Sequence, residues 1–321
     1  MAVYLGVDFG TRGIKICQKG KGIVLREPNV AAVDTEGNVI AVGTEALLIR
    51  GRAPGTVTVR RPILDGNITD FNLAAEILDH CLEIAAPRAK KHILAAAKYG
   101  LGSRNRELLQ KALSDCRTGQ VELVDSAPLS LLGSGFTPAE DEAEALSGTI
   151  ICDIGAGSVE ASYIRAGELL RTETAIGAGD AADAGIVSYI RRNYGLAITQ
   201  NSAREAKHKL SLYGSDDQAL TFTGVDSSTG MPRRIEIAAD ALLECCTTQI
   251  DGAADTIAAL INNLPRCGED SSSVDRIIIV GGGAKLPGIG EYIEKSLGLT
   301  ITVADEPLDC TVNGLSRMLN G

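Results

Sequence analysis

The stretch Gly6–Ile16, GVDFGTRGIKI, decides how the chain is built. Val3, Leu5 and Val7 alternate as a strand that runs into Asp8. The tight turn Phe9–Gly10–Thr11–Arg12–Gly13 follows, and Ile14 and Ile16 resume the alternation. This pattern predicts a β-hairpin with a glycine-rich tip and a carboxylate at its mouth. The design returns at Ile150–Ile164, IICDIGAGSVEASYI. There an apolar run ends at Asp153, the turn Gly155–Ala156–Gly157–Ser158 follows, and Val159, Ala161 and Tyr163 alternate again. A single glycine turn after Asp is often only a capped turn. Two copies, one opening each half, predict a duplicated domain with a phosphate-bearing ligand in a cleft between the halves. Backbone N–H groups would hold its oxygens, and Asp8 and Asp153 would orient a hydrated Mg²⁺.

Composition narrows the classes. The 321 residues are 45% hydrophobic and 22% charged, enough for two medium domains with their own cores. A formal net charge of -10 argues against a nucleic-acid binder, which needs a basic face. With no Trp and four Phe, a base-stacking platform is also disfavoured. The eight Cys show no C-x-x-C spacing and no clustering with the three His, so a structural zinc site is not indicated. Cys17 and Cys152 stand in apolar strands and read as buried thiols, which suits a reducing cytoplasm. No signal-peptide pattern opens the sequence, and no apolar run reaches the ~20 residues of a membrane span.

Periodicity predicts short strands at Val30–Val33 and Val39–Val42 and a helix over Thr44–Arg50. A second helix, capped by Asp70 or Asn72, runs to about Ala85 and buries Leu73, Ile77, Leu78, Leu82 and Ile84. Pro87–His92 reads as a basic solvated loop whose alternative role is contact with acidic headgroups. Further helices are predicted over Ser103–Cys116, Ala127–Leu132, about Ala181–Tyr194, Ser202–Ser211, Ala238–Leu264, Ile289–Leu297 and Leu308–Asn320. Pro138–Ser147 is acidic and polar and reads as a linker. Ile176–Gly177–Ala178–Gly179–Asp180 would open a helix whose N-terminus presents unpaired N–H groups to an anion. Asp226–Gly230 reads as a long mobile loop. Arg276–Val280 is an apolar buried strand ending in Gly281–Gly282–Gly283–Ala284, where a ligand could press on backbone.

Across these stretches the chain resembles the MreB-type bacterial actins, within the actin, sugar-kinase and heat-shock-chaperone ATPase superfamily. The stretches that carry the resemblance are GVDFGTRGIKI, KGIVLREPNVAAV, VIAVGTEA, GRAPGTVTVRRPILDGNITDF, IICDIGAGSVEASYI, YIRRNYG, AKHKL, IIVGGGAKLPGI and VADEPLDC. The resemblance implies an α/β, actin-like fold. Two duplicated α/β domains would each carry a mixed five-stranded sheet with flanking helices, and the nucleotide cleft would lie between them. It implies domain I at about 1–140, with a small subdomain near 32–66. It implies domain II at 141–321, with a small subdomain near 178–250 and the final helix, 308–320, packing back on domain I.

The resemblance also assigns roles. ATP with Mg²⁺ is the implied cofactor. Asp8, Gly10, Thr11, Arg12 and Gly13 are similar to the first phosphate loop, and Asp153, Gly155, Ala156, Gly157 and Ser158 to the second. Gly281, Gly282, Gly283 and Ala284 look like the adenosine loop, and Lys207 lies where the family contacts the nucleoside. Gly179 and Asp180 match the family's Gly-Gly-Asp turn with one extra residue. Asp8 and Asp153 would hold Mg²⁺ through water. The family's water-positioning Glu falls on Ser126 here, with Asp125 beside it. A hydroxyl is a poor general base, so weak or absent hydrolysis is implied unless Asp125 substitutes. Ala156 stands where the family prefers Gly. The implied partner is a second copy, stacked head to tail into a filament that organises cell shape or wall synthesis. Membrane-associated morphogenesis proteins are further implied partners, with a cytoplasmic or membrane-associated location. The sequence does not itself point to direct membrane contact. Two alternatives stay open: a non-polymerising nucleotide-binding scaffold, and a small-molecule kinase of the same superfamily.

Overall fold

The computed structural model describes residues 2–49, 55–136, 148–212 and 219–321. The predicted linker Pro138–Ser147 and most of GRAPG lie outside them. Two compact units divide the chain: Met1–Leu146 with Ile164–Thr172 and Leu308–Gly321, and Ser147–Tyr163 with Glu173–Pro307.

In the first unit the opening hairpin forms as the alternation predicts. β1 (Ala2–Phe9) pairs antiparallel with β2 (Gly13–Gln18), which pairs antiparallel with β3 (Gly22–Pro28). Next come β4 (Ala31–Val33), β5 (Val39–Val42), helix α1 (Gly43–Ile49) and β6 (Thr58–Arg60). β4, β5 and β6 make a small three-stranded sheet. The stretch predicted as a turn into the next element is itself a hairpin, β7 (Ile63–Leu64) with β8 (Asn67–Ile68). Asp65 and Gly66 supply the left-handed residues at its tip.

Helix α2 (Phe71–Ala85) starts at Asp70, whose side chain accepts from the Leu73 N–H at 3.2 Å. Its Leu73, Ile77, Leu78, Cys81 and Leu82 are buried against the sheet. Burying each such Leu or Ile is worth about 1.5–3 kcal/mol before entropy. Ile84 is the exception to the predicted stripe and is exposed. It sits in the last turn, at the edge of the face centred on Ile77, Leu78 and Cys81. Strand β9 (Lys90–Ala97), α3 (Ser103–Asp115), β10 (Thr118–Asp125) and α4 (Ser126–Gly133) follow. The main sheet has the order β10-β9-β1-β2-β3, with β9 parallel to both β1 and β10.

The basic stretch Pro87–His92 is not the solvated loop expected. Its second half opens β9, and Lys91 is buried with its ammonium 3.1 Å from Glu83. The apolar alternation that continues through Ile93 draws Lys91 onto the inward face, and Glu83 one helix away provides its counter-charge. The C-terminal helix, Cys310–Asn320, belongs to this unit and crosses α4 closely. A Cβ on Gly314 would run into the Leu129 backbone, and one on Gly133 into the Cys310 carbonyl. Two glycines therefore set that crossing.

The second unit repeats the plan. Its elements begin with β11 (Gly148–Ile154), β12 (Ser158–Arg165) and β13 (Glu168–Ile176), of which only the stretch Ile164–Thr172 is grouped with the first unit, and go on with α5 (Ala178–Tyr194), β14 (Leu196–Ala197) and α6 (Gln200–Lys207). Then come β15 (Ala219–Asp226), β16 (Pro232–Ala238), α7 (Asp240–Asn263), β17 (Val274–Val280), α8 (Ile289–Leu297) and β18 (Ile301–Val303). Its main sheet runs β13-β12-β11-β17-β18, with β17 parallel to β11 and β18. Each main sheet thus has three strands in sequence order followed by two crossover strands. Tyr163, Ile186, Ile190, Leu242, Ile250, Ile257 and Ile279 lie in one core. β14, β15 and β16 form a second, smaller sheet.

The loop Asp226–Gly230 is not the loose one its composition suggests. Asp226 Oδ1 accepts from the Ser228 hydroxyl (2.5 Å) and from the Ser228 and Thr229 N–H groups (2.9 and 3.1 Å). Its Oδ2 lies 2.6 Å from Arg233. An Asx-type turn closed by an arginine fixes what Ser, Thr and Gly alone would leave free.

Candidate functional site

The first glycine turn is held by its own backbone and by a residue outside it. The Gly10 N–H donates to the Gly13 carbonyl at 3.0 Å. Asn29, just after β3, donates its backbone N–H to the Arg12 carbonyl (3.0 Å) and its side-chain Nδ2 to the Gly10 carbonyl (2.8 Å). Asn29 is fully buried. These bonds turn two of the turn's carbonyls toward the protein, and the Thr11 N–H donates to no group among the described residues. Asp8 stands at the mouth, directly opposite Lys15 in the hairpin register. The Lys15 ammonium lies 3.6 Å from Asp8 Oδ2.

The second turn is braced more heavily. The Gly155 N–H donates to the Ser158 carbonyl at 2.9 Å. The N-terminal end of α5 supplies the rest. Gly177 N–H donates to Gly157 (2.9 Å), Gly179 N–H to Gly155 (3.2 Å) and Asp180 N–H to Ala156 (2.7 Å). The helix N-terminus was expected to offer unpaired N–H groups to an anion, and the groups of Gly179 and Asp180 do not. They are spent on the turn, because a sharp glycine loop has carbonyls that need donors and the helix start lies against it. Every carbonyl from Gly155 to Gly157 is thereby satisfied. The N–H groups of Ala156 and Gly157 donate to nothing among the described residues, and Gly157 is buried. A buried N–H without an acceptor is rare in a folded protein.

Lys207 was expected to reach the nucleoside. Its side chain is buried, with the ammonium 2.7 Å from Asp183 Oδ1 and donating to the Gly179 carbonyl at 2.7 Å. Lys207 therefore works as a strut beneath the second turn. A Cβ on Gly179 would lie 3.2 Å from the Gly155 carbonyl and 3.3 Å from this ammonium, a tight fit around the strut. The neighbouring His208 is held below the usual imidazole value by burial, with the Lys207 and Arg204 charges adding to the effect.

The glycine run after β17 sits against the mouth of the second hairpin. Gly281 has φ +88°, and a Cβ there would collide with Asp153 Oδ1 and the Ile154 carbonyl. Its N–H donates to the Pro307 carbonyl at 2.7 Å. Gly282, Gly283 and Ala284 continue as a turn of 3₁₀ helix.

Asp125 caps β10, and Ser126 is the first residue of α4. Ser126 is buried, and Asp125 Oδ1 lies 2.5 Å from the Arg106 guanidinium. The guanidinium takes one carboxylate oxygen, so Asp125 is tied to α3. Sequence reading missed Asn29, Lys15, Arg106 and Asp183. The register of the first hairpin places Lys15 opposite Asp8, and Asp183 falls one helical turn after Gly179. Both were readable as positions though not as contacts. Asn29 and Arg106 had no local signal.

The structure meets the fit requirements of a triphosphate with a hydrated divalent cation at the level of each turn. Among the described residues the two turns carry backbone N–H groups that donate to nothing, and Asp8 and Asp153 stand at the hairpin mouths. No group of three or more His, Cys, Asp or Glu that could bind a metal directly occurs among the described residues. That donor set suits Mg²⁺, which keeps its water shell.

The fold belongs to the actin-like class. The crystal structure of MreB 5 of Spiroplasma citri bound to AMPPNP superposes with a TM-score of 0.86 at 25% identity, covering 99% of this chain and 96% of that one. The MamK double helical filament shares the fold at a TM-score of 0.80 and 20% identity, over 100% of this chain and 99% of that one. The family model described as MreB/Mbl protein matches residues 2–321, and the chain belongs to that family. It is 31% identical to the cell shape-determining protein Mbl of Bacillus subtilis (strain 168), over 98% of this chain and 95% of that protein. It is 28% identical to the cell shape-determining protein MreB of Escherichia coli (strain K12), over 98% and 92%. No described helix is long and apolar enough to cross a membrane.

Proposed function

We propose that this protein binds ATP with Mg²⁺ through both glycine turns, assembles with itself head to tail, and helps set cell shape with slow or absent hydrolysis. The observation that carries the reading is the second turn. Its carbonyls are all turned inward by Gly177, Gly179 and Asp180, and the Ala156 and Gly157 N–H groups donate to nothing among the described residues. A pair of neighbouring N–H groups in a glycine turn is an anion cradle. Bound nucleotide would supply the acceptor oxygens, and Asp8 and Asp153 would each orient water on its Mg²⁺. Thr11 in the first turn offers a donor of the same kind. Gly281 lets backbone approach beside Asp153, as an adenosine contact needs.

Slow turnover follows from the residues around Ser126. A hydroxyl accepts a proton poorly, and Arg106 holds the neighbouring Asp125 carboxylate. Filament formation is supported by family membership and by the solved MamK filament of the same fold. Open heterologous contacts of identical subunits produce filaments rather than closed rings. The same pairing of Asp125 also favours a second reading, a nucleotide-clamped scaffold that does not polymerise. Negative-stain microscopy of the purified protein with and without ATP separates the two. Fluorescent ATP-analogue binding with filaments supports the first, binding without filaments the second, and no binding overturns both.

A further inference from the structure

Around Asp8 the chain supplies its own positive charge. Lys15 lies directly across the hairpin from Asp8, with its ammonium 3.6 Å from Asp8 Oδ2 and 3.6 Å from Asp309 Oδ1. The ammonium also donates to the Leu308 carbonyl. Asp309 Oδ2 in turn accepts from Arg26 at 2.8 Å. Burial works to raise the Asp309 carboxyl, but the Arg26 hydrogen bond and the Lys15 charge outweigh it and hold it below the usual value. These contacts tie Asp8 and Asp309 to the Lys15 ammonium and Asp309 to Arg26. The Lys15, Asp8 and Asp309 side chains are each about four-fifths covered (18%, 21% and 19% exposed), so solvent screens them only in part.

This arrangement has a consequence for metal binding, and it rests on the nucleotide reading above. We propose that Lys15 is an anchored counter-cation for Asp8, a positioning residue that weakens the hold of this carboxylate on Mg²⁺. A divalent ion approaching through its water shell meets a fixed positive charge on the same carboxylate. Leu308 and Asp309 keep that charge from swinging away. Removing it takes one positive charge from beside Asp8, a place that a divalent cation would fill.

The experiment measures the Mg²⁺ concentration that half-saturates binding of a fluorescent ATP analogue, in wild type and in Lys15→Met, Lys15→Arg and Asp309→Asn. Far-UV melting checks that each variant folds. Lys15→Met should lower the half-saturating Mg²⁺ about tenfold, the scale set by removing one nearby charge in a partly screened site. Lys15→Arg, which keeps the charge, should stay within about twofold of wild type. Asp309→Asn removes a negative charge that shares the ammonium with Asp8 while the Leu308 carbonyl still holds it in place, so the positive charge on Asp8 grows and the value should rise. An unchanged value in Lys15→Met, or the same fall in Lys15→Arg, overturns the inference while analogue binding stands. Should Lys15→Met not fold, Asp309→Asn decides, and an unchanged or lowered value overturns the inference. If wild type binds no analogue at any Mg²⁺ concentration, the nucleotide reading falls and this inference with it.

Discussion

The Lys207 ammonium lies 2.7 Å from Asp183 Oδ1, and both side chains are more than nine-tenths covered. The same ammonium reaches the Gly179 carbonyl, whose own residue holds the second glycine turn. One buried ion pair therefore supports the proposed phosphate cradle from behind. Deleting one partner leaves the other charge stranded, which costs about 3–5 kcal/mol. Lys207→Met should lower unfolding free energy by about that amount in urea titration. Adding Asp183→Leu should recover at least half of the loss, because an apolar pair of similar volume needs no counter-charge. A Lys207→Met protein as stable as wild type would remove the strut from the account.

Asp226 gives the second unit a pH response. The Ser228 hydroxyl, then the Ser228 and Thr229 N–H groups and Arg233, hold its carboxyl well below the usual range. In the unfolded chain the group titrates near about 3.9. The folded value is depressed, so its contribution is fully present above the unfolded value and is lost as pH falls through that value toward the folded one. The urea midpoint should therefore drop below about pH 4 more steeply in wild type than in Asp226→Asn, whose side chain does not titrate there. Equal slopes would mean that the turn does not feel its charge.

Much of this architecture could be read from residues alone, and the reason is local. The hairpins are alternating strands around glycine turns, and α2 carries its cap and stripe within 16 residues, Asp70–Ala85. What escaped was polar pairing across distance. Lys91 and Lys207 look like surface cations in sequence, yet both are buried beside carboxylates that only the fold brings near. Asn29 looks like a loop residue, and nothing short-range tells that its amide reaches back 19 positions to Gly10. The helix N-terminus after Gly177 was readable as a cluster of donors, but its acceptors are the carbonyls of a turn some 20 residues earlier.

The Arg106–Asp125 pair bears on turnover. If Arg106 keeps Asp125 from serving as a base, Asp125→Ala should leave phosphate release from ATP within about twofold of the wild-type rate, because no proton-transfer step is lost. The two side chains are 27% and 31% exposed, so the pair contributes only about 0.5–1 kcal/mol, and urea unfolding should fall by that much. A drop of tenfold or more in phosphate release, on the scale of losing a general base (about 10²–10⁴-fold), would instead make Asp125 the working carboxylate.

Asn29 and Gly281 test the two turns separately. Asn29→Ala removes the amide that holds the Gly10 carbonyl and leaves that acceptor unsatisfied beside a fully buried site, at a cost of about 1–3 kcal/mol. It should weaken binding of a fluorescent ATP analogue as well, since the first turn loses the bond that fixes its donors. Gly281→Ala acts through geometry. At φ +88° an L-residue pays about 1–2 kcal/mol, and its Cβ must displace Asp153. The loss of affinity should therefore exceed the loss of stability in Gly281→Ala, whereas in Asn29→Ala the two should move together. Calorimetric titration beside urea unfolding of both variants checks this. Wild-type affinity in a folded Gly281→Ala protein would show that backbone approach beside Asp153 is not needed for the nucleotide.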